Sequence, residues 1–321
     1  MNRLALLAVA AVPLLAPGPA VAFTAYVSNE KGNTVSVVDL DQMKEVATIP
    51  VGERPRGITI SQDGSRLYVC TSDADHIEVI DTAARKVIDT LPSGPDPELF
   101  ALSPDGKRLY VANEDDNMVT VLDLDQKVVE TEVPVGVEPE GMGVSPDGRW
   151  LVNTSETTNM AHFIDTGTLQ VTDNVLVDSR PRFARFTPDG KQVWVSAEIG
   201  GTVSVIDTAT RKVVKKIGFE VQGVRKETIQ AVGVAITADG KTAFVALGPA
   251  NRVAVIDTAT YEVQDYLLVG QRVWHLEFTP DQKYLISVNG ASNDISVIDV
   301  ADRKVIKSIP VGELPWGVAI R

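Results

Sequence analysis

Residues 97–134 read PELFALSPDGKRLYVANEDDNMVTVLDLDQKVVETEVP, and this stretch decides the fold. Pro97 to Ser103 is a short apolar run, Pro104-Asp105-Gly106 is a turn, and Arg108 to Asn113 is a second run carrying Leu109, Tyr110 and Val111. After the polar loop Glu114-Asp115-Asp116-Asn117, Met118 to Asp123 forms a third run and Lys127 to Val133 a fourth. Short segments rich in Val, Ile, Leu and Tyr, bounded by Gly, Pro, Asp and Asn, are the grammar of strands and hairpins. No stretch beyond the extreme N-terminus shows a 3.6-residue period.

The unit recurs along the chain. Its third run ends in Asp at Asp39, Asp81, Asp123, Asp165, Asp207, Asp257 and Asp299, at steps of 42, 42, 42, 42, 50 and 42 residues. A fixed period near 40 marks a piece that cannot bury its own apolar face and must stack on its neighbours. Four antiparallel strands per unit and seven units predict an all-β, seven-bladed β-propeller. The second-type strand Ala25-Tyr26-Val27-Ser28 opens the repeats and the first-type strand Trp316-Gly317-Val318-Ala319-Ile320 ends them. One C-terminal strand plus three N-terminal strands therefore complete the last blade, and closure hides the sheet edges.

Residues 1–22 stand apart. Asn2-Arg3 gives a basic start, Leu4 to Leu15 is an apolar run broken only by Pro13, and Ala20-Val21-Ala22 offers a small-x-small cleavage site. This pattern predicts a secretory signal peptide, too short to span a bilayer comfortably, followed by a single domain over residues 23–321. The formal charge of −13 disfavours phosphate backbones, so no nucleic-acid partner is expected. The single cysteine, Cys70, forms no internal disulfide and no paired metal motif, and reads as a buried thiol in an apolar strand.

The acidic turn residues are accounted for by the turns themselves. In Pro104-Asp105-Gly106, Pro presets φ, the Asp carboxylate caps the turn and Gly takes the positive-φ position. The same reading covers Asp63, Asp147, Asp189, Asp239 and the degenerate copy Pro280-Asp281-Gln282. Residues that the repeat does not require are better guides to function. Aligned at the start of each innermost strand are Arg56, Glu98, Glu140, Arg182, Val232, Trp274 and Trp316. Variation at equivalent places suggests a specialised channel mouth, with Arg56–Glu98 and Glu140–Arg182 as ion pairs between adjacent blades.

On the same face Asp73, Asp75, Glu114, Asp115 and Asp116 form an acidic sector whose loops hold no Lys or Arg, opposite Arg180, Arg182, Arg225, Lys226, Arg252 and Arg272. Such a surface would steer a partner with a basic rim. The eight extra residues in the longer step fall within 215–230, on a loop of this face where binding is readily built.

Repeats such as residues 104–113 (PDGKRLYVAN) and 202–214 (TVSVIDTATRKVV) resemble the YVTN-type β-propeller repeat over residues 24–321. The opening Ala25-Tyr26-Val27-Ser28-Asn29-Glu30 and the closing Pro315-Trp316-Gly317-Val318-Ala319 are similar to the periplasmic propellers associated with pyrroloquinoline quinone (PQQ)-dependent alcohol catabolism. That resemblance implies a periplasmic, non-catalytic accessory of a quinoprotein dehydrogenase or its cytochrome c, with no cofactor of its own. Quinoprotein dehydrogenases themselves resemble longer, eight-bladed rings with adjacent cysteines, which this chain lacks.

The alternative is a lactonase-type hydrolase acting at the channel mouth. Of the three histidines, His76 and His162 map to third strands, and His275 alone approaches the channel mouth. Glu277 and Arg185 would reach inward beside it, making His275 with Glu277 the catalytic alternative. No nucleophile triad spacing, His-Glu-x-x-His motif or Gly-rich phosphate loop accompanies them. A Ca²⁺ site at Glu98, Glu140 and the Glu114-Asp115-Asp116 loop needs a convergence that sequence does not supply, so no metal is assigned.

Overall fold

The computed structural model describes residues 23–321, and the expected signal peptide lies outside them. Twenty-eight strands run from β1 (Thr24–Asn29) to β28 (Pro315–Ile320), and they group into seven four-stranded antiparallel sheets. The only helical pieces among the described residues are single 3-10 turns at Ser72–Ala74, Lys226–Thr228 and Gly290–Ser292. No helix among them is long and apolar enough to cross a membrane. Six blades are contiguous in sequence. The remaining sheet has the order β28-β1-β2-β3, where β2 is Thr34–Asp39 and β3 is Lys44–Pro50. The chain ends pair in register, Ala25 with Ile320 and Val27 with Val318, so the ring closes as the repeat predicts.

Core residues lie between blades. Val35, Val37 and Ile49 of the closing blade pack with Leu67, Val69 and Ile80 of the next, and Tyr110, Val119 and Val121 pack with Leu151 and Ile164 one blade further on. Seven apolar clusters fill the ring, each drawn chiefly from two neighbouring blades. A single unit would leave these faces wet, so the blades stand or fall together.

Local chemistry explains the regularity. The Asp closing each third strand accepts the backbone N–H three residues on, at 2.7–3.0 Å in all seven copies. The residue after that amide adopts left-handed backbone (φ 51–61°) at Met43, Arg85, Lys127, Leu169, Arg211, Tyr261 and Arg303. Lys127 therefore belongs to the turn, and the fourth strand of that blade is Val128–Pro134 rather than 127–133. In the Pro-Asp-Gly turns a Ser or Thr hydroxyl two residues earlier donates to the Asp, as Ser103 Oγ does to Asp105 at 2.6 Å. These aspartates serve turns. The outermost strands are the exposed edges, and each carries a register shift against its neighbour. Bulges of this kind, with the lysines that open four of these strands (Lys44, Lys86, Lys212 and Lys304), discourage edge-to-edge pairing.

Around the axis the third residue of six innermost strands, and Gly233 just before the shortened seventh, vary in size: Gly317, Gly57, Leu99, Gly141, Phe183, Gly233 and His275. A Cβ at Gly57 would lie 2.3 Å from the carbonyl oxygen of Glu98, and one at Gly233 2.7 Å from that of Trp274. Here glycine lets adjacent backbones converge while three larger side chains fill the centre. Gly57→Ala is expected to lower stability by roughly 1–3 kcal/mol, the usual cost of overpacking. A thermal melt within 1 °C of the parent would contradict this.

Candidate functional site

The innermost strands bring Arg56, Glu98, Glu140, Arg182, Trp274 and Trp316 to one level at the end of the channel that carries the second-to-third-strand loops, each being the second residue of its strand. Val232 holds the same place in sequence but precedes its strand, Val234–Ile236, which is shortened to three residues. The sequence-level expectation of a shared ring holds, but the ring is sealed. Glu98, Glu140, Arg182, Val232 and Trp316 are each 0–5% exposed.

Two ionic clusters make the seal. In the first, Glu98 Oε1 accepts from Arg56 Nη1 at 2.6 Å and from Arg54 Nη2 at 2.8 Å. Arg54 also donates to Asp96 at 2.6 Å and to Asp73 at 3.2 Å, and Arg56 reaches Glu30 at 3.3 Å. In the second, Arg182 lies 3.2 Å from Glu140 and 3.2 Å from Glu198 and bonds Glu156 directly. Arg180 is 2.7 Å from Glu156, and Arg272 is 2.6 Å from Glu198. The arginines also lie over the indoles: Arg56 over Trp316, and Arg182 and Arg272 over Trp274, with centroid distances of 5.6, 5.6 and 4.0 Å.

The expected separation into an acidic and a basic sector is therefore corrected. Arg54 sits among Asp73, Asp96 and Glu98, while Arg180, Arg182 and Arg272 are neutralised by Glu140, Glu156 and Glu198. Sequence missed Arg54, Glu156 and Glu198 because each lies in a loop, outside the aligned strand positions; equivalent loop residues facing a charged ring were the available signal. Asp75 is also engaged, accepting the Asp96 N–H at 3.0 Å, and Asp116 accepts the Met118 N–H at 3.1 Å. Asp115 stays exposed.

Charge is unevenly compensated. Arg182 is held further into its protonated form: burial opposes the charge, but Glu140, Glu156 and Glu198 outweigh it. Burial pushes the Glu140 carboxyl well up despite Arg182. Glu114 has no ion-pair partner among the described residues; burial first, then the neighbouring Glu98 and Asp96 carboxylates, push it up to about 7. Asp96 rises to about 6 through burial and Glu98, with Arg54 opposing.

Beneath the seal lies a cavity of about 280 Å³ whose walls include Phe183, Arg185, His275, Glu277 and Trp316. His275 is not at the mouth. It is 6% exposed, its ring tilted against Trp316 at 4.3 Å and against Phe183 at 5.4 Å, measured between ring centroids. Neither of its ring nitrogens, nor the Trp316 indole N–H, has a hydrogen-bond partner among the described residues. Burial and then Arg182, Arg185 and Arg56 push His275 down to about 3, so the ring is neutral at ordinary pH. Glu277 pairs with Arg185 at 3.5 Å and makes no hydrogen bond or ion pair with His275, which corrects the expected His–carboxylate couple. His162 is structural: its Nε2 accepts the Gly136 N–H at 3.0 Å, and its Nδ1 lies 2.6 Å from Asn174 Oδ1. Cys70 is fully buried, and desolvation raises its thiol far above the reactive range.

The long connection after Lys212–Gly218 folds back on the ring. Phe219 and Ile229 enter the core between two blades, and the Glu220 N–H donates to the Tyr266 hydroxyl at 3.0 Å.

Residues 22–133 match the family model "Lactonase, 7-bladed beta-propeller", and residues 115–311 match "Choice-of-anchor I domain". No curated protein matches the chain. Among solved structures, hydrazine synthase of Kuenenia stuttgartiensis is similar with TM-score 0.80 at 24% identity, covering 87% of this chain and 92% of its own. A protein of unknown function from Desulfotomaculum acetoxidans aligns with TM-score 0.77 at 16% identity, over 92% of this chain and 98% of its own. A proposed 6-phosphogluconolactonase from Bacteroides uniformis aligns with TM-score 0.78 at 17% identity, over 94% and 99%. At these identities the likeness is one of fold.

Proposed function

The chain belongs to the seven-bladed β-propeller family that the lactonase and choice-of-anchor I models describe, and from that premise we propose that it is a non-catalytic, exported binding module that docks a protein partner on its sealed face. The observation that carries this reading is the state of His275. A general base works best with a pKa near the operating pH and with a group to orient it. His275 has neither: its carboxylate neighbour is taken by Arg185, and burial among arginines removes its basicity.

The sealed face presents a rigid rim with Asp115 exposed and Glu114 unpaired. The resemblance of residues 25–30 and 315–319 to PQQ-associated propellers supports a quinoprotein dehydrogenase or a c-type cytochrome as partner, in the periplasm. Charge on this rim acts chiefly on encounter rates. The double substitution Asp115→Lys, Asp116→Lys is expected to slow association with a basic-rimmed c-type cytochrome about tenfold at low salt, read by stopped flow, with the difference shrinking at 0.5 M NaCl. An unchanged rate overturns the docking face.

A second reading, hydrolysis of lactones or esters, is favoured by the lactonase match. That match covers residues 22–133 and so excludes Arg185, His275 and Glu277. Assay of the purified chain on lactones and aryl esters separates the two. Turnover abolished by His275→Ala establishes the hydrolase; rates equal to those of the variant leave binding as the function.

A further inference from the structure

We propose that Asp96, Glu98 and Glu114 form a Ca²⁺ site on the sealed face. One carboxylate oxygen from each lies within 4.8 Å of the other two. Two oxygens at about 2.4 Å from a shared ion can be no more than about 4.8 Å apart, so the spacing of these three is compatible with one Ca²⁺. Acidic clusters are common on surfaces, and proximity alone would mean little. The decisive residue is Glu98. It is fully buried, its Oε1 is held by Arg54 and Arg56, and its Oε2 has no hydrogen-bond partner among the described residues. A buried carboxylate oxygen without a donor is costly, and an ion beside it offsets that cost.

Compensation from protein groups is already used up on this side. Arg54 and Arg56 are shared among Glu30, Asp73, Asp96 and Glu98, and no described cation pairs with Glu114. Glu114 also belongs to a second triplet with Glu138 and Glu156 on the neighbouring blade. The donors are all carboxylate oxygens, which suit a hard cation. Two of them are tethered by guanidinium groups and cannot rearrange freely, which favours the irregular coordination of Ca²⁺ over the strict octahedron of Mg²⁺.

The test is calorimetric titration of CaCl₂ into the chelator-treated full chain, together with thermal melts at constant ionic strength. One Ca²⁺ per chain and a melting temperature that rises with Ca²⁺ are expected, by linkage of binding to folding. Glu114→Gln should weaken binding at least tenfold, and Asp115→Asn, one residue away, should leave it unchanged; circular dichroism confirms that both are folded. Glu114→Asp, which keeps the charge, should retain part of the affinity. No heat and no shift in the melt overturn the site. So does equal binding by Glu114→Gln, or an equal shift from MgCl₂ or matched NaCl, which would reduce the effect to charge screening.

Discussion

Deleting residues 315–321 is expected to abolish the soluble monomer. The strand lost, Pro315–Ile320, is buried at every position and supplies the inner strand of the closing blade. Its removal strips backbone partners from Ala25, Tyr26, Val27 and Ser28, and it takes Val318 and Ile320 out of one interblade core and Ala319 out of the next. In an open solenoid, loss of a terminal element costs one interface. In a ring it opens two flanks at once and exposes an apolar edge that other chains can pair with. Light scattering after size exclusion should show aggregate, and the melt should lose its single cooperative step. A peptide spanning 314–321, added in trans, should restore part of the monomer by strand addition. A truncated chain that stays monodisperse and melts within 2 °C of the full chain would disprove closure as the source of stability.

Arg182→Met carries the second large effect. Arg182 is 5% exposed and faces Glu140, Glu156 and Glu198. Removing one partner of a buried ionic cluster leaves the others uncompensated and costs about 3–5 kcal/mol. At the size of this domain that is on the order of 10 °C in melting temperature. The effect should depend on pH with a definite sign. Burial already raises the Glu140 and Glu156 carboxyls in the native state, and Arg182 is the first charge opposing that rise. A carboxyl whose native pKa is raised binds its proton more tightly folded than unfolded, so stability is gained as pH falls through the native value and lost as pH rises. Without Arg182 both groups rise further, so the deficit should be small near pH 5 and large near pH 8. Melts of parent and variant over that range settle the matter, and a deficit independent of pH would mean that lost packing, not charge, is responsible.

The ring was legible in the sequence because each structural demand repeats. A closing Asp, a Pro-Asp-Gly turn and alternating apolar strands recur at one period, and each has a local physical cause that single residues reveal. The placement of Arg56, Glu98, Glu140, Arg182, Trp274 and Trp316 at one level followed from the same register. Their state did not. Whether six converging side chains leave an opening or fill it depends on their summed volume and on loop residues such as Arg54, Glu156 and Glu198, which no strand alignment selects. His275 misled for a related reason: sequence brings it near Glu277, two residues on, whereas Arg185 from another blade claims that carboxylate. The mixture of Gly57, Gly141, Gly233 and Gly317 with Leu99, Phe183 and His275 was present in the sequence too, and its meaning emerges only once all seven strands face a common line.

The layer formed by the two ionic clusters and the arginine-covered indoles divides the tunnel, and the cavity walled by Phe183, Arg185 and His275 becomes a blind cup. A solute that enters it must leave by the way it came. Any macromolecule covering that opening would trap or exclude the solute, whereas one seated on the opposite side of the disc would leave its exchange untouched. The two sides of this molecule can thus be occupied independently, and competition between a small ligand and a protein would itself reveal which side the protein uses.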